Sequence, residues 1–321
     1  MKIAFVGKGG SGKTTLSALF CRLLASLRVP VLAIDADINQ HLGDALGVPE
    51  GELACMPALG KEMERVKAFL RGSNPRIASA SAMTKTTPPG RGSRLWRVQE
   101  DNALLSYFGR HHEGVTLLVT GPFQEQDLGV KCYHSKVGAV ELLLNHGIEG
   151  PGEYVIVDMT AGADTFASGL FTRFDLTFLV VEPTRQSLGV YRQYTEYACG
   201  YDVKFSVIAN KIETEDDVTF VREQVNGDLL TWIGRSAYVR AAEKGTMLPF
   251  SELEASTHEA LASMKQAVDI TEQDWDQFYR QAVFFHRQNA LAWMNASQGE
   301  DMIAQIDPDF SLGTSLAPFS S

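Results

Sequence analysis

The sequence has no long apolar run and few cysteines. No apolar segment among the 321 residues approaches the roughly 20 residues that a membrane-spanning helix needs. The four cysteines form no C-x-x-C pair, which argues against a disulfide framework. The first apolar segment begins at residue 3, with no charged leader before it. We therefore expect a cytoplasmic protein without stable membrane insertion.

Positive charge is also scarce. Lys and Arg number 29 against 39 Asp and Glu, a net charge of −10, so we expect no strong binding to nucleic acid. The exception is a stretch near 72–94, which is rich in Gly, Ser, Pro and Thr and lacks apolar periodicity. We predict a flexible surface insertion there, either a solvated loop or a segment that docks a partner. Its basic residues, in the stretch or beside it, are Arg71, Arg76, Lys85, Arg91, Arg94 and Arg97.

A phosphate-binding pattern stands near the start of the chain. Residues 7–15 read G-K-G-G-S-G-K-T-T, a full match to G-x-x-x-x-G-K-[ST], between an apolar run and a segment with helical apolar spacing. Such a loop turns backbone N–H groups toward phosphates, while the lysine reaches the β- and γ-phosphates and the threonine binds Mg²⁺. A chance match of a glycine-rich turn is the alternative. The residues expected to bind ATP or ADP are Gly9, Gly10, Ser11, Gly12, Lys13, Thr14 and Thr15, with Thr14 on Mg²⁺.

Further apolar runs end in polar residues. The runs 31–34, 154–157 and 203–209 are followed by Asp37, Asp158 and Asn210, and ligands bind at the carboxyl ends of parallel strands. An aspartate in Asp158's position, downstream of a P-loop, holds Mg²⁺ through its water shell. Asn210 can both donate to and accept from an adenine edge. The alternatives are a helix cap for Asp37, a plain strand end for Asp158 and a turn at Asn210. Strands alternating with helices predict an α/β fold, a doubly wound, mainly parallel sheet flanked by helices.

Four patterns together resemble the ATPase class of MinD, ParA and the nitrogenase iron protein, with its deviant Walker A motif. They are K-G-G-x-G-K-T-T, D-A-D-I-N-Q, D-x-x-A-G and V-I-A-N-K. The resemblance covers about residues 1–270 and implies the P-loop NTPase fold. It also implies that Lys8 reaches the phosphates bound by a second subunit, and that Asn210 and Lys211 lie at the adenine. Asp37 would orient the attacking water or contact the shell of the metal. Lys8, Lys13 and Asp37 are then the catalytic residues of a slow ATP hydrolase that forms a homodimer on binding ATP. A solvated surface lysine is the alternative for Lys8.

Within this class, A-I-D-A-D, V-E-P-T-R-Q-S-L and the position of Cys132 resemble the ATPases that mature carbon monoxide dehydrogenase. That resemblance implies an accessory ATPase for a client protein that the sequence does not name. Those ATPases carry C-x-C where this chain has Cys132 and His134. Two such pairs meeting across a dimer axis would supply four ligands suited to Zn²⁺ or Ni²⁺. The alternative is a buried thiol beside a surface or capping histidine.

Two other functions compete with the accessory ATPase: a spatial organiser of the ParA or MinD kind, acting on DNA or membrane, and a P-loop enzyme acting on a small molecule. The charge balance disfavours the first, and Lys8 disfavours the second. We predict a P-loop ATPase domain over 1–270, with a C-terminal helix and tail, 271–321, packed on it. The aromatic stripe from Trp275 to Phe285 favours packing over membrane contact because few cations accompany it.

Overall fold

A computed structural model describes residues 1–122, 133–160 and 163–313, with the backbone alone at 133–135 and 163–165. Its strands are β1 (Lys2–Gly7), β2 (Val31–Ala36), β3 (Arg110–His112), β4 (Val115–Val119), β5 (Tyr154–Thr160), β6 (Leu176–Val181), β7 (Phe205–Ile212) and β8 (Leu229–Gly234). They form one sheet in the order β3-β4-β2-β5-β1-β6-β7-β8. Every neighbouring pair is parallel except β3 and β4. The predicted doubly wound, mainly parallel sheet is confirmed.

The helices lie on both faces of this sheet. In chain order they are α1 (Lys13–Ser26), α2 (Leu42–Leu46), α3 (Glu50–Cys55), α4 (Met63–Arg71), α5 (Ala103–Phe108), α6 (Tyr133–His146), α7 (Ala163–Ser168), α8 (Arg185–Ala198), α9 (Glu215–Gln224), α10 (Ala237–Glu243), α11 (Ala255–Asp269), α12 (Trp275–Asn289) and α13 (Asn295–Gln298). A short π-helical segment, Ala290–Met294, joins α12 to α13.

Each face of the sheet has its own apolar core. Successive side chains of a strand point to opposite faces, so Ile3 and Phe5 belong to one core, whereas Ala4 and Val6 belong to the other. Phe5 packs against Phe20 of α1, with ring centroids 5.8 Å apart. Because β1 is buried on both faces, the loop that follows it is held at the centre of the sheet edge.

The C-terminal helix α12 lies against the rest of the chain. Phe278, Tyr279 and Phe285 are buried. The Phe285 ring is 5.7 Å from that of Phe171, and the Lys2 ammonium lies 4.4 Å from the centre of the Phe278 ring. The aromatic side chains of this stripe therefore largely pack against the rest of the chain. Within the described residues, no helix is long and apolar enough to cross a membrane.

Part of the segment 72–94 is buried, unlike the predicted surface insertion. Thr86 and Thr87 are buried. Thr86 Oγ1 lies 3.0 Å from a ring nitrogen of His286 in α12, and Thr87 Oγ1 donates to Gln305 over 2.8 Å. Arg91 pairs with Asp307 at 2.8 Å. Threonine and serine hydroxyls can be buried when each has such a hydrogen-bond partner. Apolar periodicity in the sequence does not reveal a buried segment of this kind.

Candidate functional site

The phosphate loop joins β1, which ends at Gly7, to α1, which begins at Lys13. Gly10 has a φ of 86° and Gly12 a φ of 88°, in the left-handed region that favours glycine. A Cβ at Gly12 would also collide with the side-chain nitrogen of Asn210. The glycine spacing of the sequence pattern thus follows from backbone conformation and from close contact with β7. The predicted Thr15 lies in the first turn of α1, and Ser11 is buried.

Lys13 and Asp37 form a buried ion pair at this loop. Lys13 Nζ is 2.6 Å from Asp37 Oδ2, and both residues are buried. The other oxygen of Asp37 accepts from the Asn39 N–H over 2.9 Å. Asp37 does not cap α2, since the Leu42 N–H donates to Asp35 instead. A phosphate that binds Lys13 must compete with Asp37, so phosphate binding and the position of Asp37 are linked.

Thr14 and Asp158 meet at the ends of α1 and β5. The Thr14 hydroxyl donates to Asp158 Oδ2 over 2.6 Å, and Asp158 is fully buried. Burial raises the pKa of the Asp158 carboxyl to about 6, although Lys13 and Thr14 act in the opposite direction. Its Oδ1 atom is buried and has no hydrogen-bond partner in the described part of the chain.

These two residues fit a magnesium ion. A hydroxyl and a carboxylate are the hard oxygen ligands that Mg²⁺ prefers, and Asp158 Oδ1 lacks the partner that a buried oxygen normally has. No group of three or more His, Cys, Asp or Glu residues that could hold a metal occurs in the described ranges. Mg²⁺ commonly takes one or two protein ligands and completes its shell with phosphate oxygens and water. Thr14 and Asp158 match that pattern.

Asp35 is a buried acid of the site to which the sequence assigned no role of its own. It pairs with Asp158 across β2 and β5, and burial, followed by the charge of Asp158, raises its pKa to about 8. Its two oxygens accept from the backbone N–H groups of Asp37 and Leu42. The available signal was its position near the carboxyl end of β2, two residues before Asp37, at the edge where parallel sheets bind ligands. Burial therefore disfavours negative charge on Asp35, although its two backbone hydrogen bonds act in the opposite direction.

The outer side of the loop is held by β7 and by the start of α8. Asn210 Nδ2 donates to the Ser11 carbonyl over 2.8 Å. Lys211 donates to the carbonyl oxygen of Gly10. The exposed Lys8 donates to Gln186 Oε1 over 2.7 Å. Asn210 and Lys211 therefore lie together with the predicted loop residues. The contacts of these two side chains are with the loop itself.

The predicted Cys132 lies outside the described residues. His134 falls in the first turn of α6, but its side chain is outside the described part of the chain. A site for Zn²⁺ or Ni²⁺ at these residues stays a prediction.

Comparison with known proteins identifies the family. Residues 3–310 match the sequence profile of the CobQ/CobB/MinD/ParA nucleotide-binding domain. The chain belongs to this family. Like other members of the CobQ/CobB/MinD/ParA family, it is a nucleotide-binding protein of the ATPase type, as the P-loop pattern predicted.

Two similar proteins align with most of the length of this chain. The carbon monoxide dehydrogenase accessory protein CooC of Rhodospirillum rubrum is 28% identical over 277 residues, which are 85% of this chain and 99% of CooC. An uncharacterized ATP-binding protein of Methanocaldococcus jannaschii is 30% identical over 218 residues, 67% of this chain and 77% of that protein.

A solved structure of the family shares the fold. It is the septum site-determining protein MinD of Pyrococcus horikoshii, complexed with Mg-ADP. The TM-score is 0.53 at 17% identity, covering 84% of this chain and 97% of MinD. At this identity the likeness concerns the fold alone.

Proposed function

We propose that the chain is a switch that binds Mg-ATP, closes into a homodimer around it and hydrolyses it slowly. The observation that carries the proposal is the ion pair between Lys13 and Asp37, 2.6 Å apart at the phosphate loop. A γ-phosphate would compete with Asp37 for the Lys13 ammonium, because both are anions that need the same donor. Once released, Asp37 is an acceptor at the edge of the loop, suited to orient a water molecule.

Magnesium binding follows from the neighbouring pair. The Thr14 hydroxyl and the Asp158 carboxylate would hold Mg²⁺, which neutralises charge on the β- and γ-phosphates. The Mg-ADP bound to MinD of Pyrococcus horikoshii is consistent with the same use of this fold. Asp158 must be ionised to bind Mg²⁺. Because its pKa is raised to about 6, Mg²⁺ binding should weaken at mildly acid pH.

Dimerisation is the part of the proposal that depends on Lys8. Its side chain is exposed and bonded only to the side-chain oxygen of Gln186 within the described residues. An exposed ammonium on a flexible stem can exchange such a partner for a phosphate oxygen of a second copy at little cost. This is what a lysine that acts across an interface requires.

The proposed role is that of an accessory factor for a client protein. The support is the match to CooC, which extends over 99% of that protein. A site for Zn²⁺ or Ni²⁺ shared by Cys132 and His134 of two copies belongs to the same proposal. A role on DNA is disfavoured because cations of the basic segment are already paired with carboxylates, even where they are exposed, as Arg91 is. Arg91 pairs with Asp307 and Asp309, and Arg97 pairs with Glu153.

Calorimetry with ATP and ADP in the presence of Mg²⁺, together with phosphate release, tests the proposal. The wild-type chain should bind both nucleotides and release phosphate from ATP. Lys13→Ala should bind neither, because it removes the cation that the β- and γ-phosphates need. Lys67→Ala, which removes a surface pair with Glu64 on α4, is the control and should behave as the wild type. Near wild-type ATP affinity in Lys13→Ala would overturn the assignment.

A further inference from the structure

Strand β7 is irregular at Lys211. Asn210 pairs with Ile233 and Ile212 pairs with Gly234, so the register with β8 shifts at the residue between them. Lys211 has a φ of 60°, in the left-handed region that residues with a side chain seldom adopt. Bulges of this kind redirect a side chain, and they are common beside functional sites. Here the redirected side chain reaches the phosphate loop.

The ammonium of Lys211 lies between the loop and an acid. Its Nζ is 2.5 Å from the carbonyl oxygen of Gly10 and 2.6 Å from Glu182 Oε1, just after β6. The preceding residue, Asn210, donates to the next carbonyl of the loop, that of Ser11. Two consecutive residues of β7 thus hold two consecutive carbonyl oxygens of the loop.

These contacts fix the orientation of one peptide group. The peptide between Gly10 and Ser11 is bonded at both ends, its carbonyl to Lys211 and its N–H to the carbonyl of Lys8 over 3.0 Å. Gly10 has no Cβ, and one built there would meet no atom within 4 Å, so sterics alone would let this peptide rotate. A rotated carbonyl would direct partial negative charge toward the phosphates.

We propose that Lys211, oriented by Glu182, is a positioning residue that keeps the Gly10 carbonyl turned away from the bound phosphates. Lys211 then acts through the loop and need not touch the nucleotide. The inference rests on the proposed function, since it assumes that the loop binds ATP and ADP. It makes the bulge of β7 part of the nucleotide site.

The test is the ADP affinity of four variants, measured by calorimetry beside their melting temperatures. Lys211→Gly removes the amine and also relieves the strained φ, so it should keep or raise the melting temperature yet weaken ADP binding about fivefold to tenfold. Lys211→Arg can still donate to both partners and should recover most of the affinity. Glu182→Ala should weaken binding about twofold to threefold. Lys67→Ala is the matched control for a lost Lys–Glu pair.

A purely structural role would move stability and affinity together, whereas the proposal predicts that they separate in Lys211→Gly. ADP affinity within twofold of the wild type in Lys211→Gly would overturn the inference and leave the proposed function intact. A wild-type chain that binds neither ADP nor ATP would overturn both.

Discussion

Replacing Asp158 by asparagine should stabilise the nucleotide-free protein and remove its response to Mg²⁺. Burial raises the pKa of this carboxyl from 3.8 to about 6, so the ionised form is disfavoured in the folded chain. A shift of about two units corresponds to about 3 kcal/mol when the group is ionised in both states. Asparagine resembles the neutral acid and keeps an acceptor for Thr14, and the shifted pKa already includes the attraction to Lys13, so we expect a net gain of about 3 kcal/mol.

The sign of the pH dependence follows from the direction of the shift. A carboxyl whose folded pKa is raised contributes stability below its unfolded pKa of about 4, and this is lost as pH rises through about 6. The advantage of Asp158→Asn should therefore be full near neutral pH and should shrink between about pH 6 and pH 4. Urea denaturation without nucleotide measures this difference in the free energy of unfolding.

Two further measurements complete this test. ADP affinity with and without Mg²⁺ should differ in the wild type and be equal in Asp158→Asn. Asp101→Asn, at an exposed aspartate before α5, controls for the loss of one negative charge. The reasoning is refuted if Asp158→Asn is less stable than the wild type near neutral pH, or if Mg²⁺ still raises its ADP affinity.

Three other predictions concern turnover, DNA and metal. Asp37→Ala should bind ATP at least as well as the wild type, because its competition for Lys13 is gone, but phosphate release should fall at least about tenfold; unchanged turnover would remove Asp37 from the mechanism. Random duplex DNA should show no salt-sensitive binding in the presence of ATP, and a strong shift at low salt would favour a spatial organiser instead. After loading with Zn²⁺ or Ni²⁺, the dimer should hold about half an equivalent of metal per chain, and Cys132→Ser should hold none; equal metal in both, or none in the dimeric wild type, contradicts the shared site.

The phosphate loop and most strands could be predicted because their signals are local. The glycine spacing of residues 7–15 and the apolar runs before Asp158 and Asn210 each fall within about ten residues of the feature they specify. Strand β3, Arg110–His112, is short and polar, and only its antiparallel pairing with β4 makes it a strand. No pattern within the segment could reveal that pairing.

Features that depend on distant contacts could not be predicted. Thr86 and Thr87 look like loop residues until His286 and Gln305 supply their partners, about 200 residues later in the chain. Likewise, the raised pKa of Asp35 arises from burial beside Asp158 on a neighbouring strand. The family resemblance indicated the role of the loop, whereas Glu182 and Gln186 became visible as its supports only in the fold.

The most direct test of the proposed switch is the mass of the protein in solution, with Mg-ADP and with a nonhydrolysable ATP analogue. We predict one chain with ADP and two with the analogue. Lys8→Ala should bind the analogue and remain a single chain, because it lacks the ammonium proposed to reach the phosphates of the second copy. A wild-type mass that is the same with both nucleotides, or a Lys8→Ala variant that still dimerises with the analogue, would contradict the account.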